Sequence, residues 1–409
     1  MRDLRIFLAF AIFPAFAFLA ACGGGSSGSS NSSSTTTTTQ TIATSGANVA
    51  SISVNAGPNG NYVNGAFASV TVCVPGTSNC QTIDGILVDT GSYGLRIISS
   101  ALTVALPQQN ASDGNPVVEC LPFLDSYSWG PVQTADVQIA SEKAASVPIQ
   151  VLSDTDFTTP TACSQGFPSA DTLTTLGANG ILGVGLAAQD CGSACVQTGA
   201  TNPGLYYECP SSSCATTGVV TGEALAQQVI NPVALFTTDN NGVIVELPAV
   251  SGGEVTVSGS LVFGIGTQSN NALGTATIYT APNAAFTTTY KSQTYAESFI
   301  DSGSNGYFFP DSTIPVCSDI TGFYCPSSTE NLSATNQASG ASGTVDFSVA
   351  NADALFANLS DNAFEDLGGP AGAPANYFDW GLPFFYGRNV YTAIEGMSTP
   401  GGTGPFWAY

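Results

Sequence analysis

The 409-residue chain has no histidine, and only six of its residues are Lys or Arg against 29 Asp or Glu, for a formal net charge of -23. Without histidine there is no Ser-His-Asp triad, no Cys-His pair, no His-ligated zinc and no imidazole general base. The scarcity of Lys and Arg speaks against nucleic acid, because phosphate binding needs clustered cations to release counterions. A Gly-x4-Gly-Lys phosphate loop is missing too, since neither Lys143 nor Lys291 follows a glycine. Catalysis without a metal is left to hydroxyls, carboxylates or the four basic residues Arg96, Lys143, Lys291 and Arg388. Carboxylates are the plentiful choice. Even with all of them protonated the side-chain charge reaches only +6, so the chain suffers little self-repulsion in acid.

An apolar run long enough to cross a bilayer is also missing. Ile6 to Ala21 is 16 residues, short of the roughly 20 a spanning helix needs, and it follows Arg2 and Arg5. It therefore reads as a signal peptide over residues 1–21. The run ends Leu19-Ala20-Ala21-Cys22, which resembles a bacterial lipobox in which cleavage precedes an acylated cysteine. Gly23 to Gln40 is almost wholly Gly, Ser and Thr without charge, the composition of a flexible tether, so residues 22–45 are expected to be lipidated Cys22 and a linker. Gly23 in place of Asp resembles the outer-membrane sorting pattern, which makes the expected partner a membrane and the expected location the cell envelope.

Eleven cysteines less Cys22 leave an even ten, as a disulfide framework in an exported protein requires. Cys73 and Cys80 are close enough to close a hairpin, as are Cys317 and Cys325, and Cys120 can pair with Cys163. Cys191, Cys195, Cys209 and Cys214 then pair among themselves in an open order. A four-cysteine zinc site from that last cluster fits poorly with an oxidising compartment and irregular spacing, so no metal is expected.

The mature chain, with its 45 Gly and 23 Pro, reads as all-β. Phe67 to Val74, Val137 to Ile139, Val243 to Val245 and Leu261 to Phe263 are short and rich in β-branched or aromatic residues. Asp239-Asn-Asn-Gly242 reads as a hairpin turn between Ala234-Leu-Phe236 and Val243-Ile-Val245. Helices are expected near Gly222 to Val229 and Ala352 to Leu359. Gly183-Val-Gly185-Leu-Ala-Ala188 fits a dinucleotide fingerprint by letter but lacks the βαβ setting, so no cofactor is implied.

An internal repeat carries most of the information. Leu87-Val88-Asp89-Thr90-Gly91-Ser92 recurs as Phe299-Ile300-Asp301-Ser302-Gly303-Ser304. Each copy is followed by an apolar element closing on glycine, Ile181-Leu182-Gly183 after the first and Trp380-Gly381, within Phe378-Asp-Trp-Gly, after the second. A carboxylate ending an apolar strand sits in low dielectric, which disfavours its charge. Two such carboxylates facing each other cannot both ionise and titrate as a pair. One then acts as base on a water and the other as acid on a carbonyl oxygen.

These motifs resemble those of the pepsin-like aspartic peptidases, and also those of a family of uncharacterised bacterial lipoproteins. Gly65 to Val74 leading into Ile86 to Leu95 resembles the opening strands and first catalytic loop, Gly259 to Gly266 the start of the second lobe, and Phe378 to Arg388 with Val390-Tyr391 its closing segment. The resemblance implies a bilobal fold with pseudo-symmetric β-barrel-like lobes at 46–229 and 230–409 around a central cleft, acting as a monomer. It implies Asp89 and Asp301 as the catalytic pair, Thr90 and Ser302 as a crossed hydroxyl grip beneath them, and Ser92 and Ser304 on the outer carboxylate oxygens, with Gly91 and Gly303 completing the loops. The family's flap falls at Asp125-Ser-Tyr-Ser-Trp-Gly-Pro131, which looks short and interrupted by Pro131, with Tyr127 or Trp129 as the flap aromatic. No Lys or Arg lies between Arg5 and Arg96, so a basic masking segment is implausible. The implied activity is a lipid-anchored endopeptidase. The alternative is the same scaffold binding peptide, carbohydrate or a surface protein without turnover.

Overall fold

The computed structural model describes residues 40–409 except 211–213 and 373–374. The expected signal peptide, Cys22 and the tether as far as residue 39 lie outside the described residues. Strands dominate, and every described helix is a single turn of three to five residues.

Ten described strands build the first lobe: β1 (Val49–Val54), β2 (Ala66–Cys73), β3 (Cys80–Asp89), β4 (Tyr93–Ile98), β5 (Val117–Pro122), β6 (Tyr127–Ile139), β7 (Glu142–Leu152), β8 (Gly180–Val184) and the short β9 (Tyr206–Glu208) and β10 (Val219–Val220). Where one face meets solvent the sequence alternates, as in β1, which buries Ile52 and Val54 and turns Ser51 outward. Where both faces are covered the strand is buried throughout, as in β4 and β8.

The end of β3 runs parallel to β8, pairing Leu87 with Ile181 and Asp89 with Gly183. The chain then turns through Thr90-Gly91-Ser92, and β4 returns antiparallel on the other side of β8, pairing Tyr93 with Val184. The second lobe repeats this kernel. Strand Gln293–Ile300 is parallel to Asp379–Trp380, with Phe299 opposite Asp379, and Tyr307–Phe308 lies antiparallel on the far side. The closing glycines let the loops come this near. A Cβ on Gly183 would lie 2.5 Å from the Tyr93 nitrogen, and one on Gly381 2.1 Å from the Gly306 carbonyl oxygen. The sequence repeat is therefore a structural repeat, and the all-β, bilobal architecture follows from it.

The lobes are joined as well as juxtaposed. Strand β1 pairs antiparallel along its whole length with Val257–Phe263, which continues through Gly242–Leu247, Arg388–Ala393, Phe406–Ala408 and Ile278–Thr280. Asn64 reaches across to the other lobe. Its side chain donates to the Asn305 and Phe364 carbonyls and accepts from the Phe364 amide and the Tyr386 hydroxyl. Residues 40–43 also bind the second lobe: Gln40 donates to the Leu247 and Arg388 carbonyls, and the Ala43 amide to Glu246.

The ten cysteines form Cys73–Cys80, Cys120–Cys163, Cys191–Cys195, Cys209–Cys214 and Cys317–Cys325, which resolves the open order in the 191–214 cluster. Cys317 and Cys325 approach Asp353 in a group of the size that holds metals, but their sulfurs are bonded to each other.

Four local expectations are corrected. Gly222 to Val229 forms only the 3-10 turn Leu225–Gln227, with extended backbone at Ala224 and Gln228. Leu225 is exposed, so no apolar helical face is buried there, and tertiary bonds such as Glu223 to the Cys195 carbonyl hold the chain open. The helix starting at Ala352 stops at Leu355. Ala234 to Phe236 is not a strand but lies at the end of the 3-10 turn Pro232–Leu235, so Asp239 to Gly242 is no hairpin. Asp239 instead accepts hydrogen bonds from Thr267 and Gln268 in the loop after Val257–Phe263. Finally, β6 runs straight through Pro131. That residue is the last to face β5, opposite Val118, and Val132 is the first to face β7, so the missing N–H falls where the strand changes partner.

Candidate active site

The two kernel turns meet at the lobe interface. Thr90 Oγ1 donates to the Ile300 carbonyl at 3.2 Å and accepts from the Ser302 amide at 3.0 Å. Ser302 Oγ donates to the Val88 carbonyl at 2.8 Å and accepts from the Thr90 amide at 3.1 Å. Each hydroxyl thus satisfies one donor and one acceptor of the opposite lobe, and all of these groups are buried.

This lattice presents Asp89 and Asp301 to each other. Asp89 Oδ1 accepts from the amides of Gly91 and Ser92, and its Oδ2 from Ser92 Oγ at 2.5 Å. Asp301 Oδ1 accepts from the Gly303 amide at 2.7 Å and its Oδ2 from Ser304 Oγ at 2.9 Å. The two carboxyls lie close enough for each to shift the other's proton affinity. Glycine is required at 303, because a Cβ there would stand 2.7 Å from Asp89 Oδ1 and 3.1 Å from Asp301 Oδ1.

Both aspartates have 0% exposure. Burial pushes their proton affinities up, and for Asp301 the charge of Asp89 adds to it, while amide and hydroxyl donors pull the other way. The pair therefore holds one proton between its two members well above the ordinary carboxylate range.

The flap stretch is placed by the β5–β6 hairpin. Pro122 pairs with Tyr127 at its tip, and Asp125 lies close enough for its charge to raise both Tyr62, which also feels Asp89 and Asp301, and Tyr377. Asp125 at the tip and the two dyad aspartates thus act on a common neighbour, Tyr62, whose hydroxyl is raised first of all by burial. Trp129 is held elsewhere: its indole donates to the Phe157 carbonyl and packs edge-on against Tyr207 at 5.4 Å in the lobe core. Tyr127 is partly buried at the hairpin end.

Two features were not anticipated. Arg96 is fully buried, at 2.8 Å from Glu119 and 3.2 Å from Asp190, with Gln150 and the Tyr93 carbonyl as further acceptors. Asp190 is pushed up by burial and by Glu119's charge, while Arg96 and the Tyr206 hydroxyl pull the other way. The second is Asp379, buried beside the dyad at 2.6 Å from Ser304 Oγ. Its sequence signal was a charged residue inside an element expected to be apolar, Phe378-Asp-Trp-Gly. Gly183 and Gly185 pack against residues 90–93, which accounts for the dinucleotide-like letters. A cavity of about 660 Å³ lined by Tyr307, Glu365 and Arg388 lies elsewhere in the second lobe and includes neither aspartate.

A profile of the family described as "Protein of unknown function (DUF3443)" matches residues 44–409. The chain belongs to that family. The family's description states no activity, so the reading of the site rests on its atoms. Among solved structures, the chain is similar to the crystal structure of an aspartic proteinase from Irpex lacteus, at 16% identity and a TM-score of 0.48, covering 88% of this chain and 96% of that one. At those values the likeness carries no weight for the chemistry. No curated protein matches this chain. Among the described residues no helix is long and apolar enough to cross a membrane.

Proposed function

We propose that this chain is an aspartic-type endopeptidase, hydrolysing peptide bonds of a polypeptide held between the lobes with a water activated by Asp89 and Asp301. The observation that carries the proposal is the pair of neighbouring, buried carboxyls on pseudo-symmetric turns locked by the Thr90–Ser302 grip. With one proton on the pair, the charged member takes a proton from water as its oxygen attacks the carbonyl carbon, and the neutral member gives its proton to the carbonyl oxygen. Collapse of the diol breaks the C–N bond, and the amine leaves with a proton. Both carboxyls are closed off from solvent, so substrate reaches them only when covering chain moves, and the β5–β6 hairpin, where the resemblance places the flap, is the element to do so.

In the same reading Cys22 carries the lipid anchor at the envelope, supported by the lipobox-like sequence. Replacing Cys22 with Ser should move the protein from the membrane fraction to the soluble one. The activity test is cleavage of an unfolded protein by the full chain from about pH 3 to about pH 8, alone and with a statine-type inhibitor. Asp89→Asn and Asp301→Asn should each abolish cleavage while the fold persists. Cleavage surviving both substitutions would sink the assignment, and peptide binding without turnover at any pH would favour the non-catalytic scaffold.

A further inference from the structure

The two kernels differ at one buried position. Register places Ile181 opposite Leu87 in the first lobe and Asp379 opposite Phe299 in the second, so a carboxyl stands where its counterpart strand has an apolar side chain. Phe378 and Trp380 on either side of it are locked in an aromatic stack, their rings 4.3 Å apart and Phe309 4.7 Å from Phe378, so the strand has little freedom to turn the carboxyl elsewhere.

Proton counting at Ser304 then limits the arrangement. Its Oγ lies 2.9 Å from Asp301 Oδ2 and 2.6 Å from Asp379 Oδ2, yet a hydroxyl carries a single hydrogen. It donates to one carboxyl and must accept from the other, so one of the two is protonated. Ser92, its counterpart, meets Asp89 alone. The donor is Asp379. Its other oxygen, Oδ1, is buried without a hydrogen-bond partner among the described residues, whereas Asp301 Oδ1 receives the Gly303 amide. An ionised group at 379 would keep that oxygen uncompensated in apolar surroundings. The titratable groups facing it are all acidic: Asp301 and Asp89 from the two turns, Tyr377 on its own segment and, beyond that tyrosine, Asp125 of the hairpin. Tyr307, on the neighbouring strand, packs against Trp380 instead.

We propose that Asp379 is a positioning residue for the dyad: held neutral, it donates to Ser304, which donates to Asp301, giving a directed chain Asp379–Ser304–Asp301 that the first lobe lacks. The chain polarises the dyad, because one aspartate receives a hydroxyl fixed as donor by a third carboxyl. Removing the proton from Asp379 would reverse Ser304, strip Asp301 of that bond and place a second negative charge nearby.

The catalytic consequence rests on the peptidase reading, but the protonation state does not, so the two are tested separately. The first measurement is denaturant unfolding of the full chain against pH. Asp379 neutral in the folded state and ionised in the unfolded one makes the unfolding equilibrium constant rise by an extra factor of ten per pH unit above its ordinary value of 3.8, relative to Asp379→Asn. Equal slopes for the two proteins between about pH 4.5 and pH 6.5 would overturn the proposal, whether or not the chain cleaves anything. If Asp379→Asn does not fold, Asp379→Ile, which copies Ile181, gives the same comparison.

The second measurement is the pH profile of cleavage. Asp379→Asn still donates but cannot ionise, so it should keep the acid-side rate and move the alkaline limb by about one pH unit. Asp379→Ile should lower kcat about tenfold with KM little changed. Profiles identical to the wild type in both variants would overturn the positioning role even with the unfolding slopes as expected.

Discussion

The crossed grip permits a stability test that needs no substrate. Thr90→Val keeps the side chain's shape but leaves the Ser302 amide and the Ile300 carbonyl buried without their hydroxyl partner; Ser302→Ala does the same to the Thr90 amide and the Val88 carbonyl. Each orphaned buried group costs about 1–3 kcal/mol, so each single variant should lose about 2–6 kcal/mol, and the two losses should agree within about 1 kcal/mol because the environments are related by pseudo-symmetry. The double variant removes both hydroxyls from one network, so its loss should fall short of the sum by about 1 kcal/mol or more. Thr90→Ser, which keeps the hydroxyl, should cost less than about 1 kcal/mol. The assay is denaturant unfolding followed by tryptophan fluorescence, since Trp129 reports on the first lobe and Trp380 and Trp407 on the second. Single losses below about 1 kcal/mol, or strict additivity, would refute the claim that the grip holds the two turns together.

Three further outcomes follow from the buried charges and crosslinks. Arg96→Met leaves the buried Glu119 carboxylate without its cation and should cost about 3–5 kcal/mol at neutral pH; a loss below about 1 kcal/mol in urea unfolding would contradict it. Glu223 is raised from 4.5 to about 7 by burial and by Glu208's charge, so folding favours its protonated form, and the protein loses stability as pH climbs through that window. Glu223→Gln should therefore gain up to about 3 kcal/mol above pH 7 and nothing near pH 4, and a gain independent of pH would contradict it. By the chain-entropy relation, replacing the Cys120–Cys163 pair, 43 residues apart, with alanines should cost about 4 kcal/mol, and the Cys191–Cys195 pair, four apart, about 2 kcal/mol; the reverse order in calorimetry would count against it.

The duplicated Asp-Thr/Ser-Gly-Ser pattern made the centre of the site legible, because catalytic turns of this kind combine residues that cannot be exchanged: the acid, the hydroxyl that crosses and the glycine that lets the other lobe approach. Short disulfides were legible for a related reason, since neighbours such as Cys73 and Cys80 meet across one hairpin. Long-range demands stayed hidden. Glu223 to Gln228 has helix-forming composition, yet its backbone and side chains are engaged by Cys195 and Gly192 some thirty residues earlier. Pro131 looked like a strand breaker because sequence does not reveal where a strand changes partner. Asp379 sits inside an otherwise apolar motif, and its only sequence signal is that aligning the two repeats puts it against Ile181. The partners of Arg96, Glu119 and Asp190, come from distant segments, so nothing in its sequence neighbourhood reveals the buried cluster.

The strand β1 has a consequence for the order in which this chain acquires structure. Its partner positions lie about two hundred residues downstream, with Ser51 opposite Ser260, and Gln40 is bonded to residues near 388. During synthesis from the N-terminus, the first lobe therefore waits with an open edge until the second has been made, and closing such a distant pairing is slow. The exposed edge of β1 would meanwhile be a template for wrong partners. Assembly of this molecule thus ends near where its chain begins, and a chaperone acting on it has most to protect in residues 40–54.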